Sequence, residues 1–288
     1  MTLPLVVGVD GSDASLRAVD WAVDEAARHG LPLRLVHASL WERYESGVPT
    51  DTLERPSERV MAEHLIGSAA ERARRRDPAV KVTTAIAPEE AEEALLREGN
   101  EATALVTGSR GRGGLKGLLL GSVGLAVAAR APCPVIVVRG DPAALASSHE
   151  RILLGAGDAD TCGEAVRFAF REAAARKSAL DAVRAWRRSA HESDEPTGDI
   201  ARRPEERASA ALDTLLHDAM AEHPGVRVRR ATVEGHARGV LLRRTAAADL
   251  VVVGARRRTG LFGLQLGRVA HTLLHHADCP VAIVPQPM

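Results

Sequence analysis

The sequence predicts an α/β protein: two tandem domains, each a doubly wound parallel sheet of about five strands with helices on both faces. Three observations predict it. The chain repeats itself from end to end. Each half alternates short apolar strands with amphipathic helices. The first, fourth and fifth strands of each half are apolar throughout, as strands covered on both faces are.

The repeat comes first because it decides the architecture. The chain has 288 residues, about twice the commonest domain size. Residues 5–27, LVVGVDGSDASLRAVDWAVDEAA, align with 152–174, ILLGAGDADTCGEAVRFAFREAA, at an offset of 147. Gly8 matches Gly155, Val19 matches Val166, and Glu25-Ala26-Ala27 matches Glu172-Ala173-Ala174. Towards the end of each half, the segment 104–124 matches the segment 249–269, with Gly108 pairing Gly254 and Gly121 pairing Gly267 at an offset of 146. Cys133-Pro134-Val135 then matches Cys279-Pro280-Val281. The expected domains are 1–140 and 150–288, joined by a linker at 140–150.

The elements follow in the same order in both halves. An apolar strand (5–9; 152–156) leads through a turn into a helix (about 13–29; about 160–177), whose Ala18, Ala22 and Ala26, with Val19 and Val23, form one apolar face. A second strand (33–38; about 180–185), a polar stretch and a second helix (57–75; about 205–222) come next. A third strand (80–86; 226–233) and a helix (89–99; about 236–247) follow. The fourth strand, Ala104–Thr107 or Leu250–Val253, runs into a glycine-rich loop and a helix (about 121–130; about 267–276). Val135–Val138 or Val281–Val284 closes the unit. Strand–helix alternation implies parallel pairing through right-handed crossovers. Ligands in such sheets sit at the carboxyl ends of the strands, at the switch point, so the loops after the first and fourth strands are the places to look. Residues 42–57, 187–205 and 140–150 lack apolar periodicity and read as mobile loops.

Composition excludes several classes. Lys+Arg and Asp+Glu number 38 each, so no global field draws nucleic acid or an anionic membrane. Aromatics are 2%, which removes the stacking platforms of single-strand binders. Three distant cysteines imply neither a disulfide framework nor a zinc site, which points to a reducing compartment. Met1-Thr2-Leu3-Pro4-Leu5 runs straight into a strand without a basic, apolar leader, and no apolar run reaches a membrane span. A soluble, cytoplasmic protein is expected.

The chemistry concentrates in one loop. Strand Ala104–Thr107 ends in Gly108-Ser109-Arg110-Gly111-Arg112-Gly113-Gly114-Leu115-Lys116-Gly117, then reaches Gly121-Ser122. The spacing is Gly, two residues, Gly, nine residues, Gly-Ser. Glycines let backbone N–H groups approach a ligand without a Cβ in the way. Gly121-Ser122 opens a helix, whose N-terminal N–H groups and dipole favour phosphate. Ser122 can cap that helix or donate to a phosphate oxygen. Arg110, Arg112 and Lys116 add positive charge. The spacing is neither a Walker A loop nor the dinucleotide fingerprint, which would need Gly where Lys116 stands.

This spacing, behind an apolar strand and before a Cys-Pro-Val strand, resembles the ATP-binding motif of the universal stress protein family, and the resemblance covers the whole chain as two such domains. It implies a Rossmann-like, adenine nucleotide alpha hydrolase-like fold and an ATP site, with any Mg²⁺ held mainly by phosphates and water. By position, Asp10 resembles the family's acidic residue beside the nucleotide, and Val9 lines the same pocket. Ala38, just after His37, matches a position whose backbone lies against adenine. Thr107, Gly108, Ser109, Arg110 and Gly111 would cradle phosphates and ribose. Gly121, Ser122 and Val123 would hold the terminal phosphates. The bland readings stand beside these: a set of tight turns for the loop, and for Asp10 a turn residue starting a helix.

The second half departs from the motif. Asp10 becomes Gly157, Gly111 becomes Arg257, Ser122 becomes Arg268, and Ser109-Arg110 becomes Ala255-Arg256. Weak or absent nucleotide binding is expected there. The resemblance implies instead a built-in dimer partner, with Val135–Val138 meeting Val281–Val284, and leaves homodimerisation open.

Other candidates read as structure. His271 and His275 lie four apart on a helix, but no third metal ligand is apparent, and a partly exposed helix end explains them more simply. Cys133 and Cys279 read as small packing residues, and the reactivity of Cys162 depends on its exposure. The leading function is an adenine-nucleotide-binding regulatory protein of the stress response, without catalytic turnover. An ATP pyrophosphatase is a second reading. Asp10-Gly11-Ser12-Asp13-Ala14-Ser15 loosely resembles the Ser-Gly-Gly-x-Asp-Ser loop of those enzymes but departs at its first Ser and second Gly. A nucleotide-free partner-binding module is a third.

Overall fold

The computed structural model describes residues 2–40, 57–111, 120–187, 204–255 and 266–286. The chain divides into two compact units, Met1–Arg139 and Gly140–Met288. In the first unit the elements are β1 (Leu5–Gly8), α1 (Asp13–His29), β2 (Leu33–Ala38), α2 (Ser57–Arg76), β3 (Val82–Ala87), α3 (Ala91–Glu98), β4 (Ala104–Gly108), α4 (Ser122–Arg130) and β5 (Val135–Val138). Its strands lie in the order β3-β2-β1-β4-β5, all parallel. The chain winds outward from β1 through β2 to β3, then returns to the other side of β1 with β4 and β5. The crevice between β1 and β4 is the switch point.

Local sequence explains the elements. The carboxyl-terminal residue of α1 is followed by Gly30 at φ 62, a left-handed C-cap. At the other end the Ser12 side chain accepts from the Ser15 N–H as N-cap. The apolar face of α1, including Ala18, Val19, Ala22, Val23 and Ala26, is fully buried. Because these side chains are small, α1 lies close against β4. The core strands are as apolar as their burial demands: Val6, Val7, Leu105, Val106 and Val137 are 0% exposed.

The second unit repeats the pattern with α5 (Pro142–Leu145), β6 (Arg151–Gly155), α6 (Ala159–Arg176), β7 (Ala179–Trp186), α7 (Pro204–Glu222), β8 (Val228–Glu234), α8 (Ala237–Arg244), β9 (Leu250–Ala255), α9 (Arg268–His276) and β10 (Val281–Pro285). Its order is β8-β7-β6-β9-β10, again parallel.

Three details differ from the sequence reading. The third strands start two residues late, at Val82 and Val228. Tight turns take the residues before them: Val80 N–H donates to the Asp77 carbonyl at 3.4 Å and Val226 N–H to the His223 carbonyl at 3.1 Å. The linker is not wholly loop. Asp141 caps the Ala144 N–H at 2.8 Å and Pro142 opens the single turn of α5. Cys162 is 1% exposed on α6, and burial pushes its thiol up from its ordinary value, which makes it inert. The stretches around 42–57 and 187–205, and Arg112 and Lys116, lie wholly or almost wholly outside the described residues.

Asp249 was invisible to pattern reading. It is 0% exposed, and its carboxylate accepts from the backbone N–H groups of His149 at 2.9 Å and Arg151 at 3.1 Å, tying the linker to β9. Asp249→Ala leaves both donors without that partner, so a loss of about 2–3 kcal/mol is expected in urea unfolding. An unchanged midpoint would show that the linker is not held there.

Candidate functional site

A cavity of about 410 Å³ opens at the carboxyl ends of β1, β2 and β4 in the first unit. That volume lies within the range of small-molecule sites, and the place is the switch point. Its walls come from four directions: Gly8–Asp10 at and beyond the end of β1, Val36–Ala38 of β2, Thr107, Gly108, Arg110 and Gly111 at and beyond the end of β4, and the start of α4. Ala91, Ala94 and Leu95 of α3 close one side with apolar surface.

Ten of the eleven site residues expected from sequence line this cavity: Val9, Asp10, Ala38, Thr107, Gly108, Arg110, Gly111, Gly121, Ser122 and Val123. Ser109 does not. It is buried, its N–H donates to the Val138 carbonyl at 3.1 Å, and its carbonyl accepts from Gly121 N–H at 2.9 Å. Ser109 therefore clips the start of α4 to the end of β4. Ser122 is the first residue of α4; the N-cap is Gly121, with no side chain capping it, so the capping alternative for Ser122 is not used.

The loop after β1 is pre-formed. Gly11 has φ 77, the sharp turn that lets the chain enter α1. Asp10 Oδ1 accepts from Ser12 N–H at 3.0 Å and from Ser12 Oγ at 2.7 Å. Ser15 Oγ donates to the Ser12 carbonyl at 2.9 Å and accepts from Asp10 N–H at 3.4 Å. Asp10 is thus both the turn residue and a cavity residue, so its two readings are one geometry. A Cβ at Gly111 would lie 2.5 Å from Asp10 Oδ2, so a larger residue there would have to displace that carboxylate.

Two polar features lie at the cavity. Thr107 is 6% exposed, and its Oγ1 is buried without a hydrogen-bond partner among the described residues. A buried hydroxyl without a partner calls for a ligand or a water. At the end of β2, Val9 N–H donates to the Val36 carbonyl at 2.8 Å, so the parallel ladder would next pair Ala38 N–H with the Val9 carbonyl. His37 Nδ1 takes that carbonyl instead, donating at 2.7 Å. Among the described residues, Ala38 N–H and C=O are left at the cavity without that ladder partner. His37 itself lines the cavity. Sequence reasoning placed it only as a neighbour of Ala38; its one signal was a polar ring next to the last residue of the strand.

The second unit has a smaller cavity at the equivalent place, about 280 Å³, lined among others by Gly157, Asp158, Cys162, Arg184 and Gly254. Arg184 crosses to the loop before α6. It donates through Nη1 to the Gly157 carbonyl and through Nη2 to Asp158 Oδ1 at 2.7 Å. Arg268 is exposed at the start of α9, and Arg256 and Arg257 lie outside the described residues. His271 and His275 stack with ring centroids 4.4 Å apart, and no group of three ligand side chains forms around them among the described residues. No helix among the described residues is long and apolar enough to cross a membrane.

Comparison with known proteins gives a consistent picture. The family model described as "Universal stress protein family" matches residues 1–139 and again 149–285. A universal stress protein of Mycobacterium tuberculosis is 32% identical over 288 residues, covering 98% of this chain and 97% of its own. The crystal structure of a universal stress protein from Archaeoglobus fulgidus superposes with TM-score 0.72 at 15% identity, covering 99% of this chain and 98% of that one. A universal stress protein solved in complex with cAMP is 30% identical across 48% of this chain and 98% of its own, with TM-score 0.37.

Proposed function

The chain belongs to the universal stress protein family, and from that premise we propose that its first half binds one adenine nucleotide, ATP foremost, as a regulatory ligand of the stress response in the cytoplasm. The observation that carries this reading is the cavity at the first switch point. There a main-chain donor–acceptor pair, a glycine loop and a helix N-terminus converge on a single volume.

Each part matches a part of the nucleotide. Ala38 offers an N–H donor beside a C=O acceptor, which complements N1 and the 6-amino group of adenine and mismatches the N1–H and O6 of guanine or hypoxanthine. The apolar wall of Ala91, Ala94 and Leu95 suits the face of a base. A Cβ at Gly111 would lie 2.5 Å from Asp10 Oδ2, so its absence leaves room beside that carboxylate for backbone to approach phosphates. The first N–H groups of α4 face the same volume, where dipole and free donors favour negative charge. Thr107 Oγ1 can donate to the ligand, which would satisfy a buried hydroxyl. Mg²⁺ fits only as a companion of the phosphates: Asp10 is the one carboxylate lining the cavity among the described residues, and a phosphate-bound Mg²⁺ keeps most of its waters.

Binding without rapid turnover is the favoured mode. Asp10, the one carboxylate lining the cavity among the described residues, already accepts two bonds from Ser12. The second half acts as the first half's built-in partner through the last strands of the two halves, with weak or no nucleotide of its own.

The test is the small molecule that copurifies. Protein prepared without added nucleotide is acid-extracted and the extract identified by mass spectrometry. About one ATP per chain is expected, as for a single tight site. Two per chain would overturn the assignment of the second half. ADP alone would point to turnover with loss of the γ-phosphate, and AMP alone to cleavage between the α and β phosphates, the pyrophosphatase-type reading. A chain that is empty and fails to take up ATP in titration would leave the partner-binding module.

A further inference from the structure

We propose that the residue following Val36 in β2 and Val183 in β7 decides whether each half can seat an adenine base: His37 holds the first seat open, and Arg184 holds the second shut. The inference rests on the proposed function and adds the residue that sets which half is used.

The two positions are structurally equivalent. Gly8 pairs with Val36 in the first sheet and Gly155 with Val183 in the second, and His37 and Arg184 come next. The backbone around them is also alike, since Val9 N–H donates to the Val36 carbonyl and Ala156 N–H to the Val183 carbonyl. The side chains then diverge. The short imidazole of His37 turns back on its own ladder and donates from Nδ1 to the Val9 carbonyl at 2.7 Å. This satisfies the carbonyl of the residue just past β1 and leaves the edge of Ala38 to a ligand. His37 is a positioning residue: it acts through Ala38.

Arg184 is long enough to reach the next loop. Its guanidinium donates to the Gly157 carbonyl and to Asp158, so a planar cation lies among the residues that line the second cavity. Arg184 is held there at 19% side-chain exposure. The cavity is about 280 Å³, against about 410 Å³ in the first unit. The loop sequences complement this exchange. Where the first half has the Asp10 carboxylate, the second has Gly157, whose carbonyl accepts from the guanidinium.

The test uses the full chain, titrated by calorimetry with AMP and with IMP, which differ at the base edge alone. The unmodified chain is expected to take one AMP and to prefer it to IMP by about tenfold or more, the discrimination of a site that hydrogen-bonds the base edge. His37→Asn, whose side-chain amide can still donate to the Val9 carbonyl, is expected to keep that preference. His37→Arg is expected to lose about thirtyfold or more in AMP affinity as the arginine crosses the seat. Adding Arg184→Ala to His37→Arg is expected to restore one AMP per chain, now in the second half. The proposal is overturned if His37→Arg binds AMP like the unmodified chain, if His37→Asn loses the AMP preference, or if the double variant stays empty. An unmodified chain that takes up neither ATP nor AMP would instead overturn the proposed function, and this inference with it.

Discussion

Gly121→Asp is expected to reduce ATP affinity by about 100-fold or more, which is about 2.7 kcal/mol, while leaving the thermal midpoint unchanged or slightly raised. The two readouts move apart for a structural reason. Gly121 has φ −73 and ψ 152, extended backbone open to any residue. A Cβ there meets nothing closer than 3.8 Å. Gly121 is also the N-cap of α4 with no side chain serving it, and Asp is among the best N-caps, worth about 1 kcal/mol to a helix. The same carboxylate would occupy the N–H groups that a phosphate needs and repel its charge. Calorimetric titration and a thermal scan of the same sample check this. Unchanged affinity would mean that the phosphates do not sit at α4. A fall in both readouts would mean that the loss reflects unfolding.

Gly108→Ala is expected to destabilise the first unit by about 3 kcal/mol or more. The added methyl carbon would lie 2.6 Å from the carbonyl carbon and oxygen of Ala14 and 2.8 Å from Ser15 N. All three are backbone atoms of α1, which is clamped against β4 by its buried alanine and valine face and cannot step aside. Gly254 repeats the constraint in the second unit, with a Cβ 2.2 Å from the Thr161 carbonyl oxygen. The contrast is Gly67→Ala in the middle of α2, where a Cβ meets nothing within 4 Å. There the same change is expected to stabilise by up to about 1 kcal/mol, through helix propensity. Urea midpoints of the two variants should move in opposite directions. A Gly108→Ala chain with an unchanged midpoint would show that α1 and β4 do not approach as described.

Much of the fold was legible because its causes are local and repeated. The face of Ala18, Ala22 and Ala26 and the apolar run Ala104–Thr107 each bury what their own period announces. The repeat doubled every signal: a glycine or strand read weakly in one half was read again in the other. Where local turn chemistry competed with strand propensity, as before Val82 and Val228, the turn won and moved the boundary. The cavity was legible in its loops, since Asp10, Gly108, Gly111 and Gly121 lie at strand ends and a helix start that the alternation already locates. Its remaining wall was not, because Ala91, Ala94 and Leu95 look like ordinary core on a short helix until the crossover sets α3 beside β2.

By itself the sequence determined two α/β repeats, the parallel sheets, and a glycine-rich loop at the first switch point, because periodicity and backbone permissiveness are written residue by residue. Tertiary structure alone decided that Ser109 clips α4 to β4 instead of lining the cavity. It alone left Thr107 Oγ1 buried without a partner among the described residues, and bent His37 onto the Val9 carbonyl while Arg184 reached the loop before α6. Those outcomes depend on which atoms lie within about 3 Å across elements distant in sequence, the reach of a hydrogen bond, and no pattern along the chain carries that distance.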